Sequence, residues 1–110
     1  MKEKEIENNI LGWLTHIPNS KFWKNQSVGV FDPVKKVYRK SFNRHALNGV
    51  SDILGIKDGQ FIAIEVKSKT GRPTESQKQF LEEITKLGGL AFIARSIDDV
   101  EAKFKEAGIL

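Results

Sequence analysis

Asp52, Glu65 and Lys67 are the residues whose types and spacing could do chemistry. The last two close the stretch GQFIAIEVKSK, residues 59–69, an apolar run that turns charged in its final third. Side chains alternate along a strand, so Ala63, Glu65 and Lys67 share one face while Ile62, Ile64 and Val66 take the other. The isoleucine face belongs to a core, and the opposite face begins small and ends charged, as a strand does when it runs out of a core into a cleft. Asp52 opens the preceding apolar stretch SDILGI, and KDG between the two is a hairpin signal built on Asp58-Gly59. Antiparallel pairing about that turn sets Asp52 beside Glu65. Two carboxylates held together repel, and one takes up a proton unless a cation lies between them. Mg²⁺ is commonly bound by one or two carboxylates with waters and substrate phosphate, so Asp52, Glu65 and the backbone carbonyl of Val66 form a partial shell for it. Lys67 could orient or deprotonate an attacking water, or neutralise charge developing on a phosphate. The set predicts metal-assisted phosphodiester hydrolysis. Taken singly the residues say less: Asp52 alone reads as a strand-start cap, and Glu65 with Lys67 as a solvated ion pair worth about 0–1 kcal/mol.

The elements that must position these residues are legible from periodicity and breakers. Ile6, Ile10, Trp13 and Leu14 recur at helical spacing over Glu3 to Leu14, and HIPNS ends that helix at Pro18. KFWKNQSVGVF reads as one strand of a hairpin, DPVKK as its turn and VYRKSF as its return. NRHALNGV is irregular, and KTGRP is a basic loop after Lys67. A helix is expected from Glu75 to Leu87, with Phe80, Leu81, Ile84 and Leu87 inward and Gly88-Gly89 as its stop. LAFIA is apolar throughout and predicts a strand at a central place in the sheet. A last helix, Ile97 to Ala107, is opened by Ser96 as cap, with Asp98 and Asp99 at its positive end. The order predicts one α/β domain over residues 1–110, a mixed sheet flanked by helices.

The chain has 110 residues, enough to bury roughly 65% of its unfolded surface in one core. Its 39% hydrophobic content excludes a disordered chain. Eighteen Lys and Arg against fourteen Asp and Glu give a net charge of +4, which favours a polyanionic partner. The absence of cysteine excludes disulfides, thiolate zinc sites and thiol nucleophiles. The N-terminus MKEKEIENN lacks the apolar core of a signal peptide, and no stretch approaches the ~20 apolar residues of a membrane span, so an intracellular, cytoplasmic protein with no membrane partner is expected. Lys24, Lys35, Lys36, Arg39, Lys40 and Arg44, with Lys69 and Arg72, could form a phosphate track. Lysines that blunt a hairpin edge would account for about half of them. His16 and His45 have no second histidine at ligand spacing and read as solvated surface. Phe22 and Trp23 read as core or dimer contact.

GVSDILGIKDGQFIAIEVKSKTGRPTESQKQFL resembles the core of the VRR-NUC domain, the virus-type replication-repair nuclease branch of the PD-(D/E)XK (restriction-endonuclease-like) superfamily. The shared pattern is an aspartate before a short apolar strand, a Gly-containing turn, Glu-X-Lys, and a helix carrying a glutamine: here Asp52, Glu65-Val66-Lys67 and Gln77. The likeness continues through GGLAFIARSIDDV and back to the acidic first helix. One departure is Ser51, where the family often has proline; proline shapes the backbone and binds no metal. The resemblance implies a catalytic set of Asp52, Glu65, Lys67 and Gln77, although TESQ also fits a capping box in which Gln77 reaches back to Thr74. It further implies that a glutamate of the first helix helps hold the metal through water, Glu7 or alternatively Glu3. The expected activity is a Mg²⁺-dependent endonuclease, with Mn²⁺ able to substitute and no small-molecule cofactor, acting on structured DNA. Small standalone members, often encoded by phages, resemble homodimeric Holliday-junction resolvases, so a four-way junction or flap is the expected substrate in a phage or bacterial host cell. Two other outcomes stay open: a DNA-binding module without chemistry, and a restriction-type endonuclease on linear duplex.

Overall fold

The computed structural model of the chain describes residues 1–26, 30–32, 34, 37–39 and 47–110. Helix α1 spans Glu3–Leu14, and its stripe of Ile6, Ile10 and Leu14 is buried. No side chain caps its start, so it is held by that stripe rather than by its ends. Strand β1 is Ser20–Lys24, β2 is Val30–Asp32, β3 is Val37–Arg39, β4 is Ile53–Lys57 and β5 is Gln60–Val66. Helix α2 (Glu75–Lys86), strand β6 (Leu90–Ala94) and helix α3 (Ile97–Glu106) complete the chain.

A four-stranded mixed sheet has the order β1-β4-β5-β6, and β2 pairs with β3 in a separate two-stranded ribbon. β4 is antiparallel to both β1 and β5, whereas β6 runs parallel to β5, with α2 as the crossover that a parallel pair requires. The β4–β5 turn is a two-residue one, Asp58 and Gly59 at φ 50° and 82°, the left-handed pair whose twist matches a hairpin. α1 and α3 cover one face of the sheet. There Ile53, Ile62, Ile64, Val66, Phe92 and Ala94 meet Ile6, Ile10, Leu14, Val100 and Phe104. Phe104 is the hub, with ring centroids 6.0–6.2 Å from those of Trp13, Phe22 and Phe92. Each such buried side chain contributes about 1.5–3 kcal/mol over its exposed state. α2 lies across the other face, on β5 and β6. Among the described residues no helix is long and apolar enough to cross a membrane.

Three expectations need correcting. KFWKNQSVGVF is not one hairpin strand: its first part is β1, which joins the main sheet because Phe22 packs on Phe104 in the core, and only the ribbon β2–β3 forms the hairpin. LAFIA is not central; among the described residues β6 ends the sheet. It is apolar throughout because α2 and α3 cover its two faces, a demand that any doubly covered strand meets wherever it sits. Leu87 does not face inward and is 84% exposed. α2 stops at Lys86 and α3 at Glu106, each one residue early. In α2 the amides of Gly88 and Gly89 bond back to the carbonyls of Thr85 and Ile84, with Gly88 at φ 98°, and this reversal turns Leu87 outward.

The register places Phe22 against Gly55, and the ring lies where a side chain would be: a Cβ at Gly55 would sit 2.2 Å from Phe22 Cδ1 and 2.6 Å from the Lys21 carbonyl oxygen. Gly55→Ala is therefore expected to lower unfolding free energy by about 1–3 kcal/mol, the usual cost of overpacking, as read from urea midpoints. An unchanged midpoint would show that Phe22 yields freely.

Candidate active site

The C-terminal ends of β1 and β5 and the start of β4 meet at one edge of the sheet. The β4–β5 ladder runs to the pair Ile53–Ile64, and its next rung would oppose Asp52 to Glu65. At that rung the strand bond is replaced by a side-chain bond, because the Val66 amide donates to Asp52 Oδ2 at 2.9 Å. The Lys67 amide turns the other way, to the Ala94 carbonyl at 3.1 Å. A strand residue sends its N–H and C=O to the same side, so the Val66 carbonyl also faces Asp52. The Asp52 carbonyl accepts from Asn25 at 2.7 Å, which ties β1 to the same point. Gly49, at φ 75°, presses on the first turn of α2; a Cβ there would lie 2.3 Å from Ser76 backbone atoms. Only glycine lets the segment that leads to Asp52 approach this closely.

Glu65 is 1% exposed. Its Oε1 accepts from Gln77 Nε2 at 2.9 Å and faces Lys67 Nζ at 3.6 Å, while Oε2 is buried with no partner. Burial first, then the nearby charge of Asp52, push the Glu65 carboxyl up to about 8 against the pull of Lys67. Gln77 serves two purposes at once: its amide nitrogen holds Glu65, and its oxygen accepts from the Thr74 amide at 2.8 Å to close the capping box with the Thr74 hydroxyl. The start of α2 and the orientation of Glu65 are thus one lock.

Facing this pair is a pocket of about 290 Å³ lined by Glu3, Lys4, Glu7, Lys24, Asp52 and Val66. Glu7 is buried, and its Oε2 lies 3.0 Å from Lys24 Nζ. Among the described residues no three acids or histidines form a group that could hold a metal ion by themselves, and Glu7 shares the pocket with Asp52. The donors that could hold a hard divalent ion are the carboxylates of Asp52 and Glu65 and the Val66 carbonyl, with water for the remainder. The fit rests on the unpartnered Glu65 Oε2 and on a carboxyl pair whose repulsion a dication would relieve.

Of the expected phosphate contacts, Lys24 is engaged with Glu7, and Arg39 ends β3. Lys35, Lys36, Lys40 and Arg44, like His45, lie outside the described residues, and His16 is exposed. Lys69 and Arg72 follow Lys67 in a loop held by Arg95, which the sequence reading did not single out. Arg95 Nη1 donates to the carbonyls of Ser68 and, at 2.7 Å, Gly71, and its amide bonds Asp99 Oδ2 at 2.8 Å. The parallel register that matches Val66 to Ala94 places Arg95 beside Lys67 at the next step. That signal was readable once LAFIA was set next to QFIAIEV.

A solved structure described as "VRR_NUC domain protein" aligns with this chain at a TM-score of 0.60, covering 96% of this chain and 86% of its own at 21% identity. The likeness shows that the two share a fold. No curated protein matches the chain. The VRR-NUC domain model matches residues 6–98, and the chain belongs to the VRR-NUC family. Membership implies nuclease-type processing of DNA.

Two outcomes follow from this geometry. Below pH 4.5 Glu65 is protonated in both folded and unfolded chains, and its raised folded value adds stability that is lost as pH climbs from there towards 8. In metal-free buffer the urea midpoint of wild type should therefore fall relative to that of Glu65→Gln as pH rises over that window; a constant difference would mean Glu65 titrates normally. Arg95→Met should speed tryptic cleavage after Lys69 severalfold without shifting the global midpoint, since it frees a loop rather than the core. Unchanged cleavage would show that Arg95 does not hold the loop.

Proposed function

We propose that the protein is a Mg²⁺-dependent endodeoxyribonuclease, with Mn²⁺ as a substitute, that cuts phosphodiester bonds in branched DNA as a homodimer. The observation that carries this reading is the Asp52–Glu65 pair, its glutamate buried with one orphaned oxygen, beside a pocket at the end of the sheet. Family membership supplies the nuclease class. The preference for junctions or flaps and the dimer rest on the family resemblance and on symmetry, since a two-fold pair of sites suits two cuts in a four-way junction.

Asp52, Glu65 and the Val66 carbonyl would hold the ion. When bound there, a divalent cation supplies Lewis-acid polarisation of the phosphate and a water of lowered pKa. The chain's own residues supply the rest. The Val66 amide fixes Asp52, and Gln77 fixes Glu65, so neither carboxylate must reorganise. Lys67, on the face of Glu65, places its ammonium where it orients the incoming water or compensates charge on the phosphate. Lys69 and Arg72, on the loop held by Arg95, grip flanking phosphates and set the scissile one in place.

The test incubates purified protein with four-way junction, flap and linear duplex in Mg²⁺, Mn²⁺ or EDTA, and reads products on a denaturing gel. Metal-dependent nicking of branched DNA is expected. Asp52→Asn, Glu65→Gln and Lys67→Met should each lower the rate about 100-fold or more while circular dichroism stays native. Binding without nicking would make the protein an architectural module, and cleavage of linear duplex at a fixed sequence would make it a restriction-type enzyme. Wild-type rates in those variants would refute the site.

A further inference from the structure

The Lys24–Glu7 ion pair bears on how many cations the site takes. Glu7 is 6% exposed, on the inward side of α1, and such a carboxylate is costly to keep without a partner. Its partner is the ammonium of Lys24, at 3.0 Å, from the last residue of β1. The register sets Lys24 opposite Ile53, one residue from Asp52, so the ammonium enters the Asp52 pocket from the β1 side. That pocket presents Glu3, Glu7 and Asp52 against Lys4 and Lys24. The orphaned oxygen of Glu65 marks a place for one cation next to Asp52, and the Glu7 carboxylate that shares the pocket is already answered from within the chain.

From this we infer that Lys24 is a built-in second cation: its ammonium neutralises Glu7 in the place a second divalent ion would take, so that each chain binds a single metal ion. The inference rests on the nuclease reading and deepens it. Lys24 is a positioning residue, acting on the pocket's charge and on Glu7. Its expected role as a phosphate contact gives way to this one, although its side chain is 39% exposed and remains within reach of solvent.

Mn²⁺ binding, counted by the electron paramagnetic resonance of the free ion during titration of the full chain, separates the possibilities without any assay of cleavage. Wild type should bind one Mn²⁺ per chain, and Lys24→Arg should keep one. Lys24→Gln should bind two, the second more weakly, and Lys24→Gln combined with Glu7→Gln should return to one. Two ions in wild type, or one ion in Lys24→Gln with native circular dichroism, would overturn the inference while leaving the metal-dependent reading standing. No ion in wild type would remove both. Should Lys24→Gln fail to fold, Lys24→Met carries the same count. A second readout covers the competing role: if Lys24 grips a phosphate, Lys24→Gln lowers the slope of log binding constant against log salt by about one for DNA in EDTA, and that change with an unaltered ion count sinks the proposal.

Discussion

Two carboxyl groups held side by side, one of them almost wholly buried, organise this molecule. Asp52 and Glu65 share one rung at the end of the β4–β5 ladder, and Glu65 is almost wholly buried. A chain selected for stability alone would fill that rung with an apolar pair. Instead it surrounds the pair with groups of limited freedom: the Val66 amide on Asp52, the Gln77 amide and the Lys67 ammonium on Glu65. Two of these come from β5 or its extension and one from α2, so the sheet edge and the crossover helix must both be in register before the acids can be held.

The same constraint explains where the core lies. Phe104 gathers Trp13, Phe22 and Phe92 on the face away from the acids, and α1 and α3 close over it. Stability is concentrated there. The opposite face is left to α2, which buries Phe80 and Leu81 while presenting Gln77 at its first turn. One face of the sheet stabilises the fold, and the edge of the other is free to hold strained electrostatics.

Local patterns made much of this legible beforehand. The apolar stripe of α1, the Thr74 and Ser96 caps and the Asp58-Gly59 turn are each set within a few residues, and a reading confined to neighbours finds them. The alternation that put Glu65 and Lys67 on one face is equally local, and the tight turn then fixes Asp52 opposite Glu65 by counting. Partners chosen at long range were not legible. Nothing near LAFIA distinguishes a central strand from a terminal one covered by helices on both sides, and nothing near KFWK says that Phe22 is claimed by Phe104. Arg95 and the Lys24–Glu7 pair escaped for the same reason, since each joins segments far apart in the chain. Gln77 was ambiguous between cap and site because both uses need the same residue at the same spacing, and the structure shows it doing both jobs, cap and contact.

The hydrogen bond from Asn25 to the Asp52 carbonyl closes a circuit: the chain leaves the sheet after β1 and re-enters it at the acid, and the two points are bonded to each other. The described β2–β3 ribbon lies between these two points in the chain, so it is clipped to the sheet at its base. Loop closure grows costlier only slowly with length, so a segment closed at its base can be lengthened without disturbing the acidic edge. Changes in the stretch that carries β2 and β3 are thereby insulated from the acid pair, whose geometry is set by β4, β5 and α2.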